Sequence, residues 1–341
     1  MRFGIVDLHN LFHRARYVAA GDAETQAALA TQIIFRSLRK LYRDFNIEHM
    51  VFAVDRGSWR STIYPGYKAR RNASLSPREQ REQQHMFQAL NALQTYLATE
   101  TRCTVLQETD IEGDDFVARW IARHPDDEHL IVSSDSDFVQ LIAGNVHIFD
   151  AINQRTISQQ AVLDEQGRRL AFNVSPKNGK LKVGDPDEAF VPEAEWWRKA
   201  LFIKLVRGDI GDSIFAAYPG VRFEGKRCSI RAAWENRDEQ GYDWNNLMFQ
   251  TWDKLLESGD TRQVRVIDQF RLNEQLIDLS KQPTHIVQAI DMAIDRATQR
   301  SPIKQVGMYF LRFCHKHDLQ ILAKEAGDHV AYLNIAYSRH K

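Results

Sequence analysis

Cysteine is scarce in this 341-residue chain: Cys103, Cys228 and Cys314 are odd in number and far apart. Their spacing excludes a disulfide framework and any CxxC metal or redox motif, and it suits a reducing compartment. No apolar run approaches the roughly 18 residues that a membrane span needs. No G-x-G-x-x-G follows the first strand pattern, and the N-terminus runs straight into a short strand interrupted by Asp7 rather than into a secretory signal. A membrane protein, a dinucleotide enzyme and a secreted protein are thereby set aside, and a cytoplasmic protein is expected. An excess of one charge is missing too: Lys plus Arg, 45, equals Asp plus Glu, 45. Only the distribution of charge can then speak about polyanionic partners.

Carboxylates are abundant, and their placement is informative. Asp7 follows FGIV, Asp55 follows VFAV, Glu112, Asp114 and Asp115 lie in DIEGDDF, Asp135 and Asp137 in LIVSSDSDF, and Asp209 and Asp212 in RGDIGDS. Parallel α/β sheets build their sites outside the carboxyl ends of the strands, so acids just past several strands converge on one place. Two carboxylates ~4 Å apart repel by about 4 kcal/mol at an effective dielectric near 20. A knot of them needs cations. Oxygen donors without His or Cys at ligand spacing favour hard ions, Mg²⁺ or Mn²⁺, over zinc. Any single aspartate here could cap a helix or turn. The series as a whole points to a metal-dependent phosphoryl-transfer site.

The first half alternates strand and helix. Arg2–Val6, Met50–Val54, Cys103–Leu106 and Leu130–Ser133 read as short buried strands; apolar residues recur at helical spacing over 25–45, 86–97 and 116–121. Phe138–Ile142 and Val146–Phe149 close the series. The expected fold class is α/β, a parallel sheet with helices on its faces. The texture changes near 151: short alternating segments occupy 155–183, with Asn178-Gly179 as a hairpin turn. Beyond Pro192, helical patterns cover 195–206, 247–256, 264–279, 286–294 and 303–313. Two domains are expected, 1–190 and an all-helical 191–341.

The stretch 56–85 is long for a connection and basic. Arg56, Arg60, Lys68, Arg70, Arg71, Arg78 and Arg81 face only Glu79 and Glu82, with Trp59, Tyr64 and Tyr67 interleaved. Cations neutralise phosphates and aromatic rings stack unpaired bases. A solvated helix would show the same charges, but Asp55 immediately precedes the stretch, which places it above the carboxylates. Poor order is expected over 57–80 in the absence of nucleic acid. His9, His13, His315 and His317 read as packing or surface residues, and Trp196-Trp197 as a packed pair.

The order AVDRGSWR, YPGYKARR, IEGDDFVA, SSDSDFVQL and GDIGDS resembles the flap-endonuclease family of 5′ nucleases. Within it, GSWRSTIYPGYKARR and FRLNEQLIDLSKQPTHI are most similar to the ribonuclease H (5′-3′ exonuclease) group of T4-like bacteriophages. The resemblance covers about residues 2–315. It implies a PIN-like parallel-sheet core, a helical arch over two divalent metals at about 57–85, and a C-terminal helical domain with a helix–three-turn–helix motif. It also implies hydrolysis at 5′ ends and flaps of DNA and RNA–DNA duplexes, primer removal in phage replication, and residence in the host cytoplasm.

Carried over by position, Asp55, Glu112 and Asp114 surround a first metal, with Asp7 nearby through water. Asp135 lies between the ions, Asp137 and Asp212 favour the second, and Asp115 and Asp209 fill further acidic positions. Lys68 and Arg71 match basic residues that reach the scissile phosphate, so they are the catalytic candidates beside the metals. Arg56, Arg60, Tyr67 and Arg70 are expected on nucleic acid. So are Gly220, Arg222, Gly225, Lys226 and Arg227, in PGVRFEGKR, where the family's compact Gly-x-Gly-x-Lys turn is stretched. The implied partners are branched or nicked DNA and RNA–DNA hybrid, with a single-stranded DNA-binding protein and a sliding clamp, for a monomer. No N-terminal extension or tail motif for a clamp is read. Two rivals are a non-catalytic binding module of this fold, which the complete acid set disfavours, and a metal-dependent endoribonuclease, which would not need a duplex-binding helical part.

Overall fold

The computed structural model describes residues 1–18, 22–69, 77–255 and 259–338. Five strands form a parallel sheet: β1 (Arg2–Asp7), β2 (His49–Ala53), β3 (Thr104–Leu106), β4 (Glu128–Val132) and β5 (Val146–Asp150). Nearly every residue of β1, β2 and β4 is buried, as strands covered on both faces require, and this is why they read as continuous apolar runs. The meander β6 (Arg155–Ile157), β7 (Val162–Leu163), β8 (Arg169–Val174) and β9 (Leu181–Pro186) extends the sheet antiparallel, giving the order β3-β2-β1-β4-β5-β6-β7-β8-β9.

The chain reverses direction across the sheet between β1 and β4, the switch point at which open α/β sheets place ligands. Register brings the acid-bearing ends level: Asp7 pairs with Ala53, two residues before Asp55, and Val6 pairs with Val132, three before Asp135. With strands about 4.8 Å apart, the three carboxylates are brought together by backbone pairing alone.

One face of the sheet is covered by α1 (Leu8–Val18), α2 (Ala23–Asp44) and α4 (Pro77–Glu100), joined by α11 (Val306–Lys316) and α13 (Ala326–Leu333) around α12 (Gln320–Lys324). α2 starts at Asp22, whose side chain accepts from Thr25 N at 2.8 Å, and it buries Ala27, Ala30, Ile34, Phe35, Leu38 and Leu41 along one stripe. Truncating Phe35 to Ala there would cost about 3–5 kcal/mol. The other face carries α5 (Gly113–Arg123), the 3₁₀ helix Ser136–Leu141 and α10 (Thr284–Thr298). A third core gathers α6 (Trp196–Arg207), α7 (Ile230–Glu235), α8 (Tyr242–Met248) and α9 (Val266–Ile277). Among the described residues no helix is long and apolar enough to cross a membrane.

The Asn178-Gly179 turn joins β8 to β9 as expected. Gly179 has φ +71, and a Cβ on it would stand 2.3 Å from the Ala200 carbonyl oxygen, so the hairpin tip lies directly on α6. The helix expected over 247–256 is corrected: α8 ends at Met248, and β10 (Thr251–Leu255) pairs with β11 (Thr261–Arg265). Helical spacing of a few apolar residues concealed a hairpin of alternating exposure, in which Trp252 and Lys254 point inward and Thr251 and Asp253 outward. The poor order expected over 57–80 is also corrected for its first part. α3 (Arg60–Ile63) and the turns after it are packed down, with Trp59, Arg60 and Tyr67 buried. Residues 70–76 of the expected arch lie outside the described residues.

Candidate metal centre

Each acid is fixed by the turn it sits in. Asp7 closes β1; its Oδ1 accepts from Asn10 N at 3.0 Å and its Oδ2 from Ser133 Oγ at 3.1 Å. Ser133 Oγ also accepts from Asp135 N at 3.1 Å, and Asp135 caps the 3₁₀ helix by accepting from Asp137 N at 3.0 Å. Asp55 Oδ1 accepts from Gly113 N at 2.6 Å, tying the end of β2 to the start of α5, where Glu112 and Asp114 lie. A Cβ on Gly113 would press on that oxygen at 3.0 Å. The result is one cavity of about 550 Å³ walled by Asp7, Asp55, Glu112, Asp114, Asp135, Asp137 and Asp212. His9, Arg14 and Lys68 add nitrogen groups to its rim, and Phe12, Met86, Phe87 and Leu90 supply an apolar side.

The electrostatics follow from burial and crowding. Burial, then the charge of Asp55, pushes the Asp7 carboxyl up to about 7. Burial and the neighbouring Asp135 and Asp7 raise Asp114 well above the usual range, and burial with Asp137 raises Asp135. Glu112 goes the other way: burial opposes its charge, but Lys68 and Arg60 more than offset that and hold it low. Three carboxyls driven towards protonation in one oxygen-lined cavity are what a hard divalent cation would reverse. Asp137, Asp209 and Asp212 also each present an oxygen within 4.8 Å of the others'. The donor set fits divalent cations of the Mg²⁺ type.

Two lysines enter this acidic ground. Lys68, held at φ +56, donates from Nζ to Glu112 Oε1, and its backbone N donates to Asp212 O at 2.9 Å. Lys204 Nζ reaches both Asp137 Oδ1 and, at 2.8 Å, Asp209 Oδ2. Burial would discharge this ammonium, yet the two aspartates hold its pKa above the ordinary lysine value. Sequence reasoning missed Lys204. The available signal was a lysine on the apolar repeat of 195–206, since a buried lysine needs acid partners. His9, set aside on sequence, lies in the wall, its Nδ1 accepting from Asp55 N at 3.3 Å.

Several expected site residues are placed elsewhere. Arg60, expected on nucleic acid, is 2% exposed: Nη1 and Nη2 donate to Asp115 at 2.9 Å, Nη1 to Glu112 at 2.8 Å, and Nε to Leu276 O at 2.9 Å. Asp115, expected on a metal, is fully buried and also takes Trp59 Nε1 at 2.9 Å and Gln282 Nε2 at 3.0 Å. The reason is helical geometry: one residue past Asp114 on α5, Asp115 is turned about 100° away from the cavity. Tyr67, expected to stack bases, is buried, with its hydroxyl donating to Glu112 Oε2 at 3.0 Å. Asp209 does not line the cavity and accepts from Gly211 N at 2.8 Å, but it stays within the oxygen cluster it forms with Asp137 and Asp212. Arg56 is exposed beside the site, its Nη2 donating to Gln94 and Gln107. Arg222, Gly225, Lys226 and Arg227 are exposed on a loop entering α7, and Gly220 takes φ +74 at its start. Arg70 and Arg71, and the side chains of Arg78 and Arg81, lie outside the described residues.

A mainly parallel sheet with an acidic cavity at its switch point defines the class: an α/β fold with the site at the carboxyl ends of its parallel strands. Residues 2–167, just under half of the chain, match the family of the 5′-3′ exonuclease N-terminal, resolvase-like domain, a finding that supports the resemblance to the flap-endonuclease, or 5′ nuclease, family. The flap endonuclease Xni of Aeromonas salmonicida (strain A449) is 33% identical over 171 residues, 48% of this chain and 61% of that protein. The protein of that name from Shewanella loihica is 28% identical over 178 residues, 51% of this chain and 63% of its own length. The chain thus spans about three fifths of the length of these curated relatives. Among solved structures, the bacteriophage T5 D15 protein co-crystallised with metal ions superposes with a TM-score of 0.56 at 15% identity, covering 87% of this chain and 99% of that one. A T5 D15 flap endonuclease complex with DNA and metal ions gives 0.53 at 15% identity, over 93% and 100%. At this identity the likeness is one of fold.

Proposed function

We propose that the chain is a structure-specific 5′-3′ nuclease that hydrolyses phosphodiester bonds at 5′ ends and flaps of DNA and RNA–DNA duplexes, with primer removal in phage lagging-strand replication as its role. The observation that carries this reading is the convergence of seven carboxylates on one cavity, three of them pushed towards their protonated forms. The proposed cofactors are two Mg²⁺ ions, replaceable by Mn²⁺, one near Asp55, Glu112 and Asp114, the other near Asp137 and Asp212, with Asp135 between. When bound, such ions supply Lewis acidity for an in-line displacement at phosphorus.

The chain's own groups do the rest. Ser133 and the Asn10 backbone hold Asp7, and the Gly113 amide holds Asp55, so the oxygens are oriented before any substrate arrives. Lys68 stands at the rim with burial opposing its charge and Glu112 and Asp212 sustaining it. From there its ammonium can turn from Glu112 to a non-bridging phosphate oxygen and offset the charge that develops on it. Arg71 is assigned the same role from the YKARR motif. Duplex grip is assigned to the part beyond 190, through Arg222, Lys226 and Arg227. The test uses a labelled 5′ flap, a nicked duplex and an RNA–DNA hybrid, each with Mg²⁺ and with chelator. Chelator should abolish cleavage and Mg²⁺ or Mn²⁺ restore it, while Asp135→Asn should lose cleavage and keep substrate binding. Full cleavage by Asp135→Asn would sink the assignment.

A further inference from the structure

A second cavity, of about 360 Å³, adjoins the acidic one and shares Asn10 and Asp135 with it. Its character is different. Arg155 of β6 and Lys180 of the β8–β9 hairpin line it, with Ser134 and Ser136 between them and the shared wall. Asp150, its buried acid, takes Arg155 Nη2 at 3.1 Å and has Arg14 Nη1 at 4.0 Å. Two cations, Arg155 and Lys180, thus stand against one acid beyond the shared wall, and Arg14 of the acidic cavity reaches that acid from the other side.

Two details point to a ligand. Arg155 Nε is buried and has no hydrogen-bond partner among the described residues. An orphaned buried donor carries an uncompensated desolvation cost, which an incoming acceptor would remove. Lys180 is exposed and makes no ion pair among the described residues, yet its root is fixed: Ser175 N donates to its carbonyl at 2.8 Å, its own N donates to Asn178 Oδ1 at 3.2 Å, and Gly179 beside it is pressed onto Ala200. The groove therefore presents a positioned ammonium, an unused guanidinium donor and serine hydroxyls along a path that begins at the acidic cavity. Phosphates of one strand recur about every 3.4 Å of helix axis, and such mixed cationic and hydroxyl donors are the usual contacts to them.

We propose that this groove holds a backbone phosphate of the cleaved strand next to the scissile one, through Arg155 Nε and Lys180 Nζ. The proposal rests on the nuclease reading above and extends it to how the strand is laid across the centre. In it the antiparallel meander gains a function, since its hairpin lines the path of the strand beyond the cavity that holds Lys68.

The experiment measures binding of 5′-flap duplexes in Ca²⁺, which fills the acidic centre while suppressing turnover. A single neutral methylphosphonate is placed in turn at the two linkages on either side of the cleavage point. Wild type and Lys180→Ala are compared on each duplex; Lys180 is exposed, so the fold is not at risk. On the fully charged duplex Lys180→Ala should bind about tenfold more weakly, a difference of about 1.4 kcal/mol. On the duplex neutralised at the contacted linkage the same substitution should cost nothing. Equal losses on all duplexes, or no loss on any, overturn the groove and leave the nuclease reading standing. Failure of wild type to bind any duplex overturns both.

Discussion

Arg60 and Asp115 meet end-on, Nη1 to Oδ2 and Nη2 to Oδ1 both at 2.9 Å, with the arginine 2% exposed and the aspartate not exposed at all. The pair joins α3 to α5 beneath the acidic cavity, and Arg60 extends the link to α9 through Leu276 O. It is a brace under the floor of the site. Removing one partner of a buried ion pair strands the other and costs about 3–5 kcal/mol. Asp115→Ala should therefore lose that much stability in denaturant unfolding while its affinity for Mg²⁺ changes little. A lost metal affinity with unchanged stability would return Asp115 to the ligand set.

Lys68 lends itself to a kinetic separation. A residue that only holds nucleic acid affects KM, whereas one that acts on the transition state lowers kcat. Lys68→Ala is expected to reduce the single-turnover rate at saturating substrate by about a hundredfold, comparable to the loss of one preorganised charge donor. A change confined to KM would make Lys68 a tether.

Proton and metal should compete at the acidic centre. Asp7, Asp114 and Asp135 carry folded-state values above their ordinary ones, Asp7 up to about 7. Their contribution to the stability of the metal-free protein is present below the unfolded value near 4; that of Asp7 is lost as pH rises through about 7, and those of Asp114 and Asp135 as pH rises through their own raised values. A divalent cation removes that loss, and its binding releases the protons. The melting-temperature gain from Mg²⁺ over chelator should thus be larger at pH 8 than at pH 5.5. The buried His49, His129 and His329 have the opposite sign: burial depresses each to about 4. Their contribution is complete above about 6.5 and is lost as pH falls through 4, so the Mg²⁺-bound protein should melt earlier as the buffer is acidified across that window.

The loop before α7 can be examined by ionic strength. Replacing both Lys226 and Arg227 by Ala should weaken duplex binding alike for every sequence and flatten the log–log salt dependence by up to about two. An unchanged slope would show that the duplex is gripped elsewhere.

The parallel core was legible because strands buried on both faces must be apolar throughout, and the acids that interrupt them at Asp7, Asp55 and Asp135 stand out against that background. The facing of individual side chains was not legible. Asp114 and Asp115 look equivalent in IEGDDF, and only the turn of α5 sends one into the cavity and the other into the core. Arg60 sits in a basic stretch of the chain, but Asp115 and Glu112 draw it inside. Lys204 stayed hidden for the complementary reason, since its partners Asp137 and Asp209 lie 67 and 5 residues away along the chain and meet it only when α6 docks on the 3₁₀ helix. The β10–β11 hairpin had its turn signal in Ser258-Gly259-Asp260, but no buried alternation long enough to separate its strands from helix.

The core on the α2 and α4 side takes residues both from Val6–Phe149 and from Val306–Leu333, and this bears on the order in which the molecule can be made. On a ribosome adding about 5–20 residues per second, the last of these emerges roughly 10–40 s after Phe149. Throughout that interval Phe35, Tyr96 and Tyr42 have no Phe310, Phe313 or Tyr332 to close over them. The nascent N-terminal half must therefore wait with an apolar flank uncovered, and the arrival of Val306–Leu333 sets when the half that carries the acidic cavity becomes compact.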